Sequence, residues 1–359
     1  MNAKPSILYV AYPLLTVGEE SCGGAEQILS ALEREMAARG YRTFVAASRG
    51  SRVSGTLVDT GAPSSSIDDY ERREAEHIAA LDDFLARHPV DLIHDHSGTF
   101  WMHTARHVAQ PPSAVAPMLV TLHLPRTFYP PNAFRGAPAN VSFNCVSHSQ
   151  QHDFGDVTRC VVPNGILVNR FPPRDRKDDF LLWMGRICEE KGAHLAIEVA
   201  QRCRMRLVVA GEVYPFSYHQ RYFEREVLPH LKSRDSLIHY LGPQTLAAKV
   251  RLLRQARALL LTSQCPETSS VVAMEAMACG TPVLALRCGA IPEVIADGRT
   301  GYVVDDVDAM VAALPRVAEI DPAACVAHVR SNFTATRMAG DYECVYEQLL
   351  CQAAQTLAA

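Results

Sequence analysis

The stretch MGRICEEKG, residues 184–192, decides the fold. The apolar run FLLWM (180–184) leads into it and the helix-like run AHLAIEVAQ follows. Arg186 and Lys191 stand five apart, bracketed by Gly185 and Gly192. A chain that leaves a buried strand, turns on glycine and opens a helix presents free backbone N–H groups and a positive dipole end there, and two cations beside them suit a polyanion such as a diphosphate. The plain alternative is a solvated loop in which Glu189 and Glu190 pair with the two cations.

Outward from that stretch, the pattern is strand, helix, strand, repeated. The first half carries apolar runs at ILYVAY (7–12), TFVAA (43–47), DLIHDH (91–96), MLVTLH (118–123), VSFNCVS (141–147) and CVVPN (160–164). Amphipathic stretches at 25–40 and 70–88 read as helices, with Gly40 a C-terminal cap. After 165–179, which holds two prolines and a charge run, the alternation restarts at 180–184, 206–211, 237–242, 258–263, 282–286 and 301–304. Continuous apolar strands separated by helices predict parallel sheets covered on both faces. The expected architecture is therefore α/β, with two Rossmann-like domains facing each other across a cleft. We expect an N-terminal domain at 1–168, a linker at 169–179, a second domain at 180–335 and a C-terminal helix at 336–359 that packs back toward the first domain.

The gross numbers fit two domains of a soluble globular protein. The chain has 359 residues, 48% hydrophobic and 21% charged. A formal net charge of −4 argues against a nucleic-acid binder. Eleven cysteines show no C-x-x-C pair and no zinc spacing, which reads as reduced thiols packed as small hydrophobes. The start, MNAKPSILYVAYP, carries no cleavage pattern, and no apolar run reaches the length of a membrane span. The expected location is the cytoplasm. The helix at 70–88 mixes both signs, which does not favour membrane contact.

Several further groups could carry chemistry. In PETSSVVAMEAMACGTPVLA (266–285), Glu267 lies in the loop before a helix begun at Ser269 and Ser270, and Glu275 lies within that helix. Glu275 is embedded in apolar residues, where an unpaired carboxylate is costly. Tandem Gly23-Gly24 follow the first strand and open a helix, where a phosphate loop or a plain turn would sit. His94 and His96 alternate on one strand face without an evident third ligand, so a metal is not favoured; His123 reads as a polar group at a strand mouth. Ser147 is a plausible helix cap, and Asn164-Gly165 and Asp297-Gly298 are turns. The loop 126–140, with Phe128 and Tyr129, would either line an acceptor site or pack as a surface loop.

The ordered set of GGAE (23–26), DLIHDHS (91–97), TLH (121–123), VSHS (146–149), VPNGI (162–166), GRICEEKG (185–192), the Glu267/Glu275 pair with AMACGTPVLA (276–285), and GAIPEVIADGRTGYVV (289–304) resembles the retaining glycosyltransferases of family 4. These have the GT-B fold. The resemblance runs from residue 6 to about 345, tighter in the C-terminal half. YFEREVLPHL (222–231) is similar to a bacterial subgroup related to enzymes that decorate antibiotics and cell-surface glycans. The resemblance implies transfer of a hexosyl unit from a nucleotide-sugar, UDP-linked first and GDP-mannose next, to a hydroxyl on a small molecule, glycan or glycolipid. It implies that Arg186 and Lys191 hold the donor diphosphate, that Glu267 and His123 contact the donor sugar, and that Glu275 binds the ribose. Ser269, Ser270 and Val271 would bring backbone to sugar and phosphate, Gly185 would form the turn beside them, and Gly23 and Gly24 would close over the phosphate. No metal or other cofactor is expected, because cations and helix N-termini take that role. Thr268-Ser269-Ser270 stand where many members carry Phe-Gly, which alters the expected sugar contacts. The rival readings are a sugar-nucleotide 2-epimerase of the same fold and an inactive glycan-binding subunit.

Overall fold

The computed structural model describes residues 4–21, 23–64, 69–106, 116–231 and 237–358. The chain divides into two compact units: Met1–Asn164 with Ala335–Ala359, and Gly165–Thr334.

Unit 1 is built on strands β1 (Ser6–Val10), β2 (Arg42–Ala47), β3 (Thr56–Asp59), β4 (Leu92–Asp95), β5 (Met118–Thr121), β6 (Val141–Cys145) and β7 (Cys160–Val161). Its helices are α1 (Gly24–Ala38), α2 (Tyr70–Arg87), α3 (Phe100–Arg106) and α4 (His148–Phe154). Among the described residues the strands form one parallel sheet in the order β3-β2-β1-β4-β5-β6-β7. β3 was not foreseen: TLVD is a short, half-exposed edge strand with no apolar run to mark it. The turn that leads into it is tied to β2 by Glu33 of α1, whose buried carboxylate accepts from Thr43 Oγ1 (2.6 Å), Ser54 N (2.9 Å) and Gly55 N (2.8 Å). Such a carboxylate is tolerated in the interior because its lone pairs are filled.

Unit 2 repeats the plan with β8 (Leu181–Met184), α5 (Ala193–Arg202), β9 (Leu207–Ala210), α6 (Ser217–Tyr222), β10 (Ile238–Tyr240), α7 (Leu246–Gln255), β11 (Ala258–Leu261), α8 (Val271–Ala278), β12 (Val283–Leu286), α9 (Ile291–Val294), β13 (Gly301–Val304), α10 (Val307–Ala313) and α11 (Pro322–Asn332). Its parallel sheet runs β10-β9-β8-β11-β12-β13. The LLWM and ALLL strands are apolar throughout because helices cover both faces, and each such side chain taken from water contributes roughly 1.5–3 kcal/mol. The last helix, α12 (Ala335–Ala358), belongs to unit 1. Glu343 on it meets Lys4 (2.6 Å), Arg39 (2.9 Å) and Tyr41 (2.9 Å), and Tyr342 and Tyr346 hydrogen-bond to Thr121 and His94 under the sheet.

The expected linker at 169–179 is corrected. The units divide at 164/165 and 334/335, and residues 169–179 pack on unit 2. Phe171 is buried in that unit's core, and Arg174 N donates to Cys279 O at 3.1 Å. Lys177 Nζ reaches Arg254 O (3.2 Å), Cys279 O (3.0 Å) and Thr281 Oγ1 (2.8 Å). The charge run thus satisfies carbonyls at the ends of α7 and α8, where cations are favoured, rather than solvating a tether.

Candidate functional site

In unit 2 the chain passes outward from β8 through β9 to β10, then returns to place β11 on the other side of β8. Ligands of open parallel sheets bind at such a switch point, outside the carboxyl ends of the two strands. The register Leu260↔Trp183 brings the loops after β8 and β11 together there. The first loop is MGRICEEKG; the second runs from Thr262 to Ser270.

Backbone bonds fix the first loop on both sides. Gly185 N donates to Ala210 O (3.1 Å), Ile187 N to Glu212 O (2.9 Å) and Gln264 N to Glu190 O (2.8 Å). Residues 189–191 make a single tight turn, and Gly192 then enters α5 with φ +67°. A Cβ at 192 would lie 2.1 Å from Thr262 O, so both conformation and space require glycine. The special backbone is therefore at Gly192, not Gly185: a Cβ at 185 meets only the Trp183 ring, at 3.5 Å, an ordinary contact. Trp183, 2% exposed, donates from Nε1 to Thr262 Oγ1 (3.0 Å), which donates onward to Gly192 O (2.7 Å).

This frame joins Lys191 to Glu267. Lys191 Nζ lies 2.6 Å from Glu267 Oε1, and Ser263 Oγ donates to the same oxygen. Glu267 is in turn set by the GAIPEV loop. Ala290 N donates to its carbonyl at 2.7 Å, and a Cβ on Gly289 (φ +54°) would fall 2.3 Å from that oxygen. Arg186 takes different partners: Nε approaches Cys188 Sγ (3.5 Å), and the guanidinium lies 5.6 Å from the Tyr214 ring centroid. Burial pushes the Cys188 thiol up against the pull of that guanidinium. Among the described residues no ion pair joins either cation to Glu189 or Glu190.

Glu275 stands in α8 and is 3% exposed. Lys249 of α7 answers it at 2.5 Å, with both side chains mostly buried. Burial pushes the Glu275 carboxyl up, and Lys249 draws it back. Ser270 is the residue before α8 but makes no side-chain cap bond, and Val271 is the helix's first residue.

Gly23, Gly24 and His123 belong to unit 1. Gly23 precedes α1 and Gly24 begins it. The Glu26 carboxyl folds back over this turn, where a Cβ on Gly23 would fall 1.9 Å from Glu26 Oε2, and burial raises Glu26 to about 7. His123, just past β5, lies 2.9 Å (Nε2) from His96 Nδ1 and stacks on that ring. Burial lowers His123 to about 4, so it is a neutral hydrogen-bonding group near pH 7. Both His94 ring nitrogens have protein partners: Nδ1 meets Tyr346 OH at 2.6 Å and Nε2 meets Thr121 Oγ1 at 2.7 Å. In the 126–140 loop Tyr129 is buried against Phe134 and Phe154, while Phe128 is 52% exposed.

Sequence reading missed Lys249, Ser263 and Tyr214. Ser263 had a signal, a hydroxyl just past the carboxyl end of a parallel strand. Lys249 had none, because its partner lies 26 residues away on another helix.

Comparison with known proteins bears on the family and the fold. The family described as Glycosyltransferase Family 4 matches residues 22–170, and Glycosyl transferases group 1 matches residues 178–319. D-inositol 3-phosphate glycosyltransferase of Pseudarthrobacter chlorophenolicus is 31% identical over 163 residues, 40% of this chain and 38% of that protein. The chain thus matches well under half the length of this relative. Among solved structures, AviGT4, a glycosyltransferase involved in avilamycin A biosynthesis, superposes with a TM-score of 0.69 at 22% identity, covering 97% of this chain and 98% of that one. HepE of Anabaena, in complex with UDP and glucose, superposes with a TM-score of 0.72 at 15% identity, covering 96% and 100%. Two parallel-sheet Rossmann-like units, the cation-bearing loop after β8 and the two family matches lead to one conclusion: the chain belongs to the group 1 glycosyl transferases of GT-B fold.

Proposed function

We propose that the protein is a retaining glycosyltransferase that moves a hexosyl unit from a nucleotide-sugar, a UDP-sugar first, to an acceptor hydroxyl without a metal ion. The observation that carries this is the Lys191–Glu267 ion pair, fixed at the switch point of unit 2 beside Arg186. Without donor, Glu267 is the counter-ion of Lys191. A diphosphate takes over Lys191, and Glu267 is released to accept hydrogen bonds from sugar hydroxyls. Arg186 and Lys191 then meet the charge that grows on the leaving diphosphate, the most effective place for fixed cations in such a reaction. Glu275, ion-paired with Lys249, grips ribose hydroxyls. The start of α8 at Ser269, Ser270 and Val271 offers N–H groups to phosphate.

The bond from the anomeric carbon to the diphosphate oxygen breaks as the acceptor oxygen bonds to that carbon on the same face. The acceptor proton passes to the departing phosphate oxygen, so no protein nucleophile is needed. In unit 1 the neutral His123 suits a sugar hydroxyl, and the Gly23-Gly24 turn suits a phosphate. The UDP complex of HepE supports uridine as the base.

The test is the thermal transition of the protein in chelator with UDP, GDP, ADP or dTDP. A ligand at a hundred times its Kd stabilises by about 2.7 kcal/mol. UDP should raise the transition most, and Lys191→Ala should remove the effect. No shift with any nucleoside diphosphate would refute the reading.

A further inference from the structure

A second cluster lies behind Arg186. The register Met184↔Ala210 sets the loops after β8 and β9 side by side at one end of the sheet. From the first come Cys188 and Glu190; from the second, through α6, comes His219. One sulfur, one carboxylate oxygen and one ring nitrogen from these residues lie within 4.8 Å of one another.

His219 is 0% exposed, yet neither ring nitrogen has a hydrogen-bond partner. Its other neighbours are rings: Tyr218 at 4.2 Å, Phe216 at 5.2 Å and Tyr214 at 5.9 Å between centroids. Glu190 Oε2 is likewise buried without a partner. An unsatisfied buried polar atom costs about 1–3 kcal/mol, and here three share one small space with a thiol.

We propose that Cys188, Glu190 and His219 form a binding site for a thiophilic divalent cation, with Zn²⁺ the best fit. Sulfur, nitrogen and one carboxylate make a donor set for zinc, whereas magnesium and calcium require oxygen throughout. Tetrahedral bonds of about 2.0–2.3 Å place ligand atoms about 3.3–3.8 Å apart, so side-chain rotations of roughly an ångström close the site. Binding displaces the thiol proton to water and leaves a fourth position open. The sulfur that now faces Arg186 Nε becomes a metal ligand, and the ion sits outside the Lys191–Glu267 pair. It is not part of glycosyl transfer, and its existence does not depend on that activity.

The test uses the full chain, stripped with chelator and titrated with Co²⁺ as a spectroscopic stand-in. Expected are visible bands of tetrahedral cobalt and a near-ultraviolet thiolate-to-cobalt band, saturating at one ion per chain and displaced by Zn²⁺. Cys188→Ser should abolish the thiolate band, and His219→Ala and Glu190→Gln should weaken binding at least about tenfold. Absence of the bands in the wild type, or bands unchanged in all three variants, would overturn the proposal. Should Cys188→Ser or His219→Ala lose the native far-ultraviolet circular dichroism, Glu190→Gln decides, since Glu190 is only part-buried.

Discussion

Replacing Lys249 by methionine should expose the electrostatics of the α7–α8 contact. The substitution keeps the aliphatic stem and removes the charge 2.5 Å from Glu275 Oε1. Breaking one side of a buried ion pair costs about 3–5 kcal/mol. The variant escapes part of that by protonating Glu275, whose carboxyl burial already pushes up and which then loses the lowering influence of Lys249. The sign follows from linkage. A folded-state pKa raised above the unfolded value of 4.5 gives stability that is complete below 4.5 and lost as pH rises toward the folded pKa. The deficit should therefore be smaller at pH 5 than at pH 7.5, where the carboxylate is left charged, buried and unpaired. Urea unfolding followed by Trp183 fluorescence, in a Trp101→Phe background, reads unit 2 alone, since the chain has two tryptophans. Lys249→Met/Glu275→Gln should recover more than half of the loss at pH 7.5. An equal deficit at pH 5 and pH 7.5, or a double variant no more stable than the single, would refute the reasoning.

Gly289→Ala places a Cβ 2.3 Å from Glu267 O at φ +54°, so it should cost about 1–2 kcal/mol in backbone conformation and displace Glu267; a denaturant curve with a donor-turnover assay should show both losses together. Glu26, raised by burial to about 7, makes unit 1 lose stability as pH rises from about 4.5 to about 7, by up to about 3 kcal/mol; Glu26→Gln should flatten that part of the curve of Trp101 unfolding against pH. A chain ending at 334 loses the Tyr342 and Tyr346 hydroxyls that Thr121 and His94 use, so the Trp101 transition should disappear while the Trp183 transition persists.

The strands were legible because burial on both faces demands apolar runs, and LLWM, LVVA and ALLL carry nothing else. The motif residues at 186, 191, 267 and 275 were legible because local grammar marks them: a strand, a glycine turn, a helix start. What sequence concealed is pairing at a distance. Glu190 sits beside Lys191 in sequence, yet Lys191 pairs with Glu267, 76 residues on. His219 lies in a stretch with no motif, and only the β8–β9 register brings it to Cys188. The linker at 169–179 was misplaced because prolines and charges mark a tether and a helix-capping segment alike; the burial of Phe171 and the bonds of Arg174 and Lys177 tell them apart.

The role proposed for Lys191 is to stabilise a departing nucleoside diphosphate. The direct measurement is nucleotide release from UDP-, GDP-, ADP- and dTDP-sugars in chelator, for the wild type and Lys191→Ala. Release is expected from one donor class, lowered at least about a hundredfold in Lys191→Ala with the fold intact. Release at an unchanged rate in the variant would contradict it.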